Sequence, residues 1–500
     1  MPKLSTLLLT IFIVKISIFL FFTAEFNRNY PKQFISGSLF ISLGETDTYY
    51  LPIENLAKGR GYGFTRGGGD GTKPDTLKTR RVPGLVPIYL PLYSLFGKET
   101  ARAILVILQL IADCLAVYCL AWIAGKIFNS PLAFVLTLAL YAINTFVAVF
   151  DHIGMPESFC ASFLIFSVFF LLKSINGNAL RFLFISGVFT CWAIFMRPVV
   201  GIILPVLSLL FFVMSYSEGN GALKKIFFRY AIYILPFAVV ISCWTLRNYN
   251  VSGKFIPLED KEYEAQPDIY PPQWRAIQTL VGKAWGGKSF RWNAGSEGEW
   301  FFAKDIPVNN SPFSNRHFTK DYNMDSLKML REFYHLSMNR ALPEGERKIY
   351  AEQTVAMANR CSESYKKEKP FHYYFLSPVI LTANFIFLKT TNYLPFPPLQ
   401  QMQLYHKVIK IFYIFFYNLI ALLGIIGMIM ALFGKNKNAR VLLLFPLLYV
   451  CVFTILYSYS EERYMVPVYP FFVLYASFAL LTFYKMIPPN FIRAKQTSSN

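Results

Sequence analysis

Residues 101–125 read ARAILVILQLIADCLAVYCLAWIAG, an apolar run interrupted only by Arg102 near its start and Gln109 and Asp113 toward its middle. About 20 such residues in a helix cross the hydrocarbon of a bilayer with every backbone group bonded inside the segment. The run is continuous and does not alternate, which argues against a β-barrel strand. Outward from it, comparable runs lie near 4–22, 131–150, 156–173, 180–196, 198–216, 228–246, 405–433, 440–459 and 465–485. The fold class that follows is all-α: a polytopic integral membrane protein with about ten transmembrane helices.

Composition agrees. The 500 residues are 54% hydrophobic and only 16% charged, with mean hydropathy +0.39, more apolar surface than a soluble domain can hide. A net charge of +20 on a soluble chain would point to nucleic acid. Here much of the excess sits in short loops between spans, so nucleic-acid binding is a poor reading. Lys3, Lys126, Lys173, Arg181, Lys224, Lys225, Arg229, Lys435, Lys437, Arg440, Arg493 and Lys495 all fall on one side. The positive-inside rule makes that side cytoplasmic, with both termini inside. Segment 4–22 lacks a convincing small-x-small cleavage site and reads as an uncleaved anchor. The seven cysteines show neither zinc spacing nor a disulfide framework; Cys114, Cys119, Cys160, Cys191, Cys243 and Cys451 fall in or beside apolar segments and read as helix-packing fillers.

Three regions result: an N-terminal transmembrane core, 1–246, containing the first outer loop at 24–100; a large extracytoplasmic loop, 247–404; and C-terminal transmembrane helices, 405–500. Pro83 to Phe96 is too short to cross and carries Pro83, Pro87 and Pro91, so it reads as interfacial or re-entrant. The stretch 371–392 reads the same way, with an eleventh span as the alternative. Inside the large loop, spacing indicates helices over 326–339 and 344–365, the second behind Pro343. Trp274, Trp285, Trp292 and Trp300 there could hold a sugar ring or pack a core, and both readings stay open. Lys15 and Asp113 lie at matching depth in the first two spans. A lone charge there is costly, so the two are expected to pair, with Gln109 as a further partner.

Polar motifs collect on the outer side. Gly44-Glu45-Thr46-Asp47-Thr48-Tyr49-Tyr50 follows the first span. Then come Arg81-Val82-Pro83-Gly84, Pro156-Glu157-Ser158, Arg197-Pro198, Arg247-Asn248-Tyr249 and Glu462-Arg463-Tyr464. A carboxylate at a membrane boundary can take a proton from a hydroxyl. Guanidinium forks match the oxygens of a leaving phosphate. Asp47 is the candidate base with Glu45 as its partner, and Arg81, Arg247 and Arg463 are candidate phosphate ligands. Blander roles exist for each: Asp47 as a helix cap, the arginines as headgroup anchors, Glu157 as a cap after Pro156, Tyr50 and Tyr464 as interfacial aromatics. Arg197, inside a nearly continuous apolar run, must reach a polar cavity or the surface.

In their order and common sidedness these motifs resemble the GT-C superfamily of integral-membrane glycosyltransferases, in the branch of protein mannosyltransferases and lipid A aminoarabinose transferases. The resemblance covers about 1–250 and 400–485. It implies transfer of a sugar from a polyprenyl-phosphate donor to an acceptor on the outer face, with Asp47 at the position of the family's base. The candidate set is then Asp47 and Glu45 as catalytic groups, with Tyr50, Arg81, Glu157, Arg197, Arg247, Arg463 and Tyr464 binding substrate. Expected partners are the polyprenyl-phosphate-linked sugar, a glycan, lipid or protein acceptor, and membrane lipids. Direct displacement inverts the anomeric centre.

No metal is expected, because a monophosphate donor facing several arginines has less need of one. A divalent cation at Glu45 and Asp47 is the alternative. The expected location is a bacterial inner membrane, with the site extracytoplasmic. Two other functions compete: a transporter or flippase of lipid-linked saccharide, which calls for inverted repeats that are not visible, and a polymerase or ligase of surface glycans. The stretch 66–71, RGGGDG, looks phosphate-cradling but lacks the following Lys-Ser/Thr and reads as a mobile loop tip. Asn250-Val251-Ser252 is a three-residue sequon that matters only in a secretory pathway.

Overall fold

A computed structural model describes residues 4–43, 45–65, 76–177, 179–217, 223–260, 271–288, 295–391, 393–458 and 460–486. Gly44, the 66–71 stretch, Trp292, Lys3, Arg493 and Lys495 lie outside them. The chain forms two compact units. The first comprises Met1–Asp260, Thr390–Leu447 and Val466–Asn500, and the second Lys261–Lys389 and Leu448–Met465.

The first unit is built from apolar helices: α1 (Leu4–Asn29), α2 (Thr46–Ala57), α3 (Val86–Ile127), α4 (Pro131–Ala142), α5 (Thr145–Val149), α6 (Glu157–Gly177), α7 (Leu180–Met196), α8 (Ile203–Ser217) and α9 (Leu223–Ser252). Helix Leu404–Phe433 follows, and Tyr469–Met486 packs against it and α4. Strand among the described residues is confined to two-residue antiparallel pairs, Ile35–Ser36 with Phe40–Ile41 and Phe64–Thr65 with Thr76–Leu77. The protein is an all-α polytopic membrane protein.

Eight helices among the described residues are long and apolar enough to cross a membrane. The expected spans at 180–196 and 465–485 are present as Leu180–Met196 and Tyr469–Met486 but are not among the eight. Leu180–Met196, at 17 residues, is at the lower limit of a spanning helix. The expected interfacial piece at Pro83–Phe96 becomes the first part of α3. It is set off from the long span by Gly97, whose backbone (φ +73°, ψ 178°) breaks the helix in a conformation open to glycine alone.

The deep charges pair as expected. Lys15 Nζ lies 2.6 Å from Asp113 Oδ2 with both side chains fully buried. Lys15 also sits over the Tyr141 ring at 5.1 Å. Gln109 does not join them: its amide donates to the Phe150 carbonyl at 3.3 Å, because that face of α3 meets the end of α5.

In the second unit, Met324–Ser337 is capped by the Asn323 side chain and Glu344–Glu368 begins after Pro343. Both match the expected helices to within a few residues. Their apolar faces enclose a core of Trp285, Trp300, Phe301, Leu330, Tyr334 and Tyr365. Trp285 and Trp300 are only 2% and 1% exposed, so for these two the core reading replaces the sugar-stacking one. The stretch 371–392 holds a π-helical turn, His372–Leu376, and helix Ser377–Ile386, neither of which is a candidate span.

Candidate active site

The loop after α1 turns into α2 through hydroxyls. Thr46 Oγ1 donates to the Leu43 carbonyl at 2.8 Å, and Thr48 Oγ1 donates to the Glu45 carbonyl at 2.7 Å. Short polar side chains satisfy loose backbone groups at helix starts in this way. Glu45 occupies the cap position without a capping bond, and Asp47 falls in the first turn. An anion is favoured there by the helix dipole. The Asp47 side chain is 57% exposed, while Thr46, Thr48, Tyr49 and Tyr50 beside it are buried.

The loop is fastened to the turn before α6. Ile41 N donates to the His152 carbonyl and Gly154 N to the Ile41 carbonyl, each at 2.8 Å. That turn leads to Glu157, the first residue of α6 and wholly buried. Its partner is Arg197, just past α7, which forms an ion pair with it. Pro198 follows, and a residue before proline is driven to extended backbone; Arg197 has φ −145° and ψ 102°. The Arg197 side chain thereby leaves the helix line and donates from Nη1 to the Tyr49 hydroxyl at 2.7 Å.

Arg81 reaches the same ring. Its guanidinium carbon lies 4.5 Å from the Tyr49 centroid. Its Nη2 donates to Glu45 Oε2 at 2.8 Å and its Nε to Thr48 Oγ1 at 3.1 Å. Gly84 permits the approach: a Cβ there would fall 2.1 Å from the Phe195 carbonyl oxygen. Trp192 Nε1 also donates to the Gly84 carbonyl at 2.8 Å. The segment bearing Arg81 therefore closes on the end of α7 that carries Arg197, and two guanidiniums lean on one phenol. Burial pushes the Tyr49 hydroxyl up to about 12 against the opposing pull of Arg197 and Arg81, so it stays protonated at neutral pH.

One residue of this cluster escaped the sequence reading. Arg102 Nη2 lies 3.6 Å from Asp47 Oδ1 and 3.3 Å from Glu54 Oε1. Its guanidinium also rests 4.9 Å from the Phe40 ring and 5.6 Å from the Tyr50 ring. Glu54 accepts a further bond from the Tyr89 hydroxyl at 3.2 Å. The available signal was that Glu54 follows Asp47 by two helical turns and so shares its face. Nothing local indicated which cation would lie opposite.

Other expected site residues are placed differently. Tyr50 is wholly buried, edge-on to Phe40 and Tyr89 at 5.3 and 4.8 Å, and packs the loop instead of facing an open surface. Arg247 donates to the Lys78 and Tyr62 carbonyls, both at 2.6 Å, and stacks 4.8 Å from Trp244. Its fork clamps loop backbone onto α9, where a phosphate ligand was expected. Arg463 and Tyr464 belong to the second unit. There Arg463 Nε lies 3.0 Å from Glu461 Oε1, and its Nη2 donates to the Tyr464 hydroxyl at 3.2 Å. The Tyr464 ring packs 4.8 Å from Phe453.

Among the described residues, no group of three or more His, Cys, Asp or Glu is arranged to hold a metal ion. Glu45 and Asp47 meet Arg81 and Arg102 respectively. The arrangement offers an exposed carboxylate that can take a proton, next to buried cations able to hold an anion.

The family model described as dolichyl-phosphate-mannose-protein mannosyltransferase matches residues 88–244. The archaeal oligosaccharyltransferase AglB from Archaeoglobus fulgidus, solved with an inhibitory peptide and a dolichol-phosphate, has a TM-score of 0.51 at 11% identity over 99% of this chain. The apo form of the Archaeoglobus fulgidus oligosaccharyltransferase scores 0.50 at 14% identity, also over 99% of this chain. ArnT from Cupriavidus metallidurans bound to undecaprenyl phosphate scores 0.35 at 14% identity, covering 96% of this chain and 78% of that one. The chain spans about half of the two archaeal structures, 51% and 52%. No curated protein matches it. Residues 88–244 thus match a membrane mannosyltransferase family model, and the fold is similar to that of the archaeal oligosaccharyltransferase.

Proposed function

We propose that this protein is an inverting glycosyltransferase that moves a sugar from a polyprenyl-phosphate donor to an acceptor on the outer face of the membrane. Asp47 takes the proton from the acceptor group as it attacks the anomeric carbon. Arg81 and Arg197 stabilise the phosphate that departs, each exchanging part of its present bond to Glu45 or Glu157 for phosphate oxygens. Glu45 and Glu157 keep these buried cations compensated before the donor arrives. Arg247 holds the loop in place. The observation that carries the reading is the contrast at the start of α2: Asp47 is open to solvent while Arg81 and Arg197, converging on Tyr49, are buried.

The solved relatives support a lipid-linked substrate only in general terms. One was solved with a dolichol-phosphate, and the family model carries dolichyl-phosphate-mannose in its description. The test is an inventory of lipids and surface glycans in cells with the gene, without it, and with Asp47→Asn. A polyprenyl-phosphate-linked sugar should accumulate, and one glycan decoration should vanish, in both altered strains. Unchanged lipid-linked sugars in the deletion strain would rule the reading out.

A further inference from the structure

The second unit carries a stripe of large apolar side chains that its own core does not use. Phe371, Tyr374 and Phe375 are 69%, 62% and 58% exposed, and Val379 continues the line at 48%. These positions recur at helical spacing along the π-helical turn His372–Leu376 and helix Ser377–Ile386. The stripe is ordered: the Phe371 and Phe375 rings stack with centroids 5.2 Å apart. The opposite face is firmly seated. Ser377 Oγ donates to the Ala284 carbonyl at 2.7 Å, and Leu381, Phe385 and Ile386 are buried. One face thus fixes the element to the unit while the other presents its rings outward.

What covers that face is indicated by its neighbour. Phe385 stacks on Phe453 at 5.1 Å, and Thr382 bonds Thr454 at 3.2 Å. Both partners lie near the C-terminal end of the candidate span Lys437–Leu456. At that same end Ile455 and Leu456, and Tyr457 just past it, are also exposed. The two apolar surfaces therefore adjoin at the end of a helix that is itself apolar enough to cross a bilayer. Just before the stripe stand Lys366, Lys367 and Lys369. Lys369 is fixed by the carbonyls of Arg316 and Phe318 at 2.9 and 2.6 Å. Lysines followed by Tyr and Phe, at the end of a span, have the composition of a membrane–water boundary.

We infer that residues 371–383 are inserted, parallel to the surface, into the leaflet that the C-terminal end of span Lys437–Leu456 reaches. Phe371, Tyr374, Phe375 and Val379 lie among the acyl chains, and Lys366 and Lys367 lie at the phosphate groups. This segment ties the second unit to lipid without crossing it. The assignment is independent of the proposed reaction.

The test is photo-cross-linking of the full chain reconstituted in phosphatidylcholine–phosphatidylglycerol vesicles. Benzoylphenylalanine replaces Phe375, Phe415 or Ile349 one at a time. Phe415 is an exposed residue of span Leu404–Phe433, and Ile349 an exposed residue of helix Glu344–Glu368. After irradiation, lipid adducts are quantified by mass spectrometry. Position 375 should give a yield comparable with position 415 and at least about tenfold above position 349, since an interfacial helix buries its apolar face beneath the headgroups. A yield at 375 no higher than at 349, with 415 labelled, overturns the inference. At 375 and 415 one aromatic ring replaces another on an exposed face, and Ile349 is likewise exposed; recovery of each variant with the vesicles on flotation verifies its insertion.

Discussion

Arg197 Nη1 donates a 2.7 Å hydrogen bond to the hydroxyl of Tyr49, joining the end of α7 to the first turns of α2. The residues are far apart in sequence and both are nearly buried. Removing the acceptor strands a buried guanidinium N–H, a cost of about 1–3 kcal/mol. Tyr49→Phe should therefore lower the thermal midpoint of the detergent-solubilised protein. An unchanged midpoint would show that the bond adds nothing to stability.

The Lys15–Asp113 pair is a second long-range tie, at 2.6 Å with both side chains wholly buried. Breaking one side of such a pair leaves an uncompensated charge and costs about 3–5 kcal/mol. Lys15→Met and Asp113→Asn should each reduce the membrane-inserted protein. The exchange Lys15→Asp with Asp113→Lys should restore much of it, read by quantitative immunoblot of membranes. Absence of rescue would mean that the pairing is not what holds α1 on α3.

Gly84 controls how closely the Arg81 segment meets α7. A methyl group at this position would lie 2.1 Å from the Phe195 carbonyl oxygen, so the two backbones must separate. Displacement of about 1 Å near a reacting centre can cost on the order of a hundredfold in rate. Gly84→Ala should therefore lose transfer activity far more than it loses protein, with normalised activity as the measurement. Full activity would show that the approach is not required.

His152 gives the pH dependence a sign. It lies in the turn before α6, accepts or donates a 2.8 Å bond with Thr23 Oγ1, and stacks on Phe19 at 4.1 Å. Burial lowers its pKa to about 3 from 6.5. Between these values the unfolded chain binds a proton that the folded one refuses. Stability is thus fully present above 6.5 and falls as the pH drops toward 3, at up to about 1.4 kcal/mol per pH unit for this group. The thermal midpoint of the wild type should fall from pH 7 to 5 more steeply than that of His152→Gln. Parallel curves would remove His152 as a cause.

The spans were legible because continuous apolar runs translate directly into bilayer-length helices, as in Leu404–Phe433, read as 405–433. The Lys15–Asp113 contact was also legible, since two isolated charges at one depth have few other ways to be satisfied. Arg102 was not. From sequence it is a basic residue at the edge of an apolar run, and its meeting with Asp47 and Glu54 depends on how α3 continues past the break at Gly97. The contacts of Arg247 were hidden for a related reason. A guanidinium donates to backbone carbonyls as well as to phosphate oxygens, and only the folded loop shows Lys78 and Tyr62 presenting carbonyls to it. Trp285 and Trp300 were ambiguous because burial of an indole is set by helices distant in sequence.

In the proposed reaction the Asp47 carboxylate takes the acceptor's proton during attack on a polyprenyl-phosphate-linked sugar. The direct measurement uses the lipid fraction that accumulates when the gene is deleted, radiolabelled in its sugar and supplied to membranes holding wild type or Asp47→Asn. Label should pass to acceptor with the wild type. With Asp47→Asn it should remain on lipid, at a rate lower by about two to four orders of magnitude, the usual contribution of a positioned base. Transfer by Asp47→Asn at a rate close to wild type would contradict it.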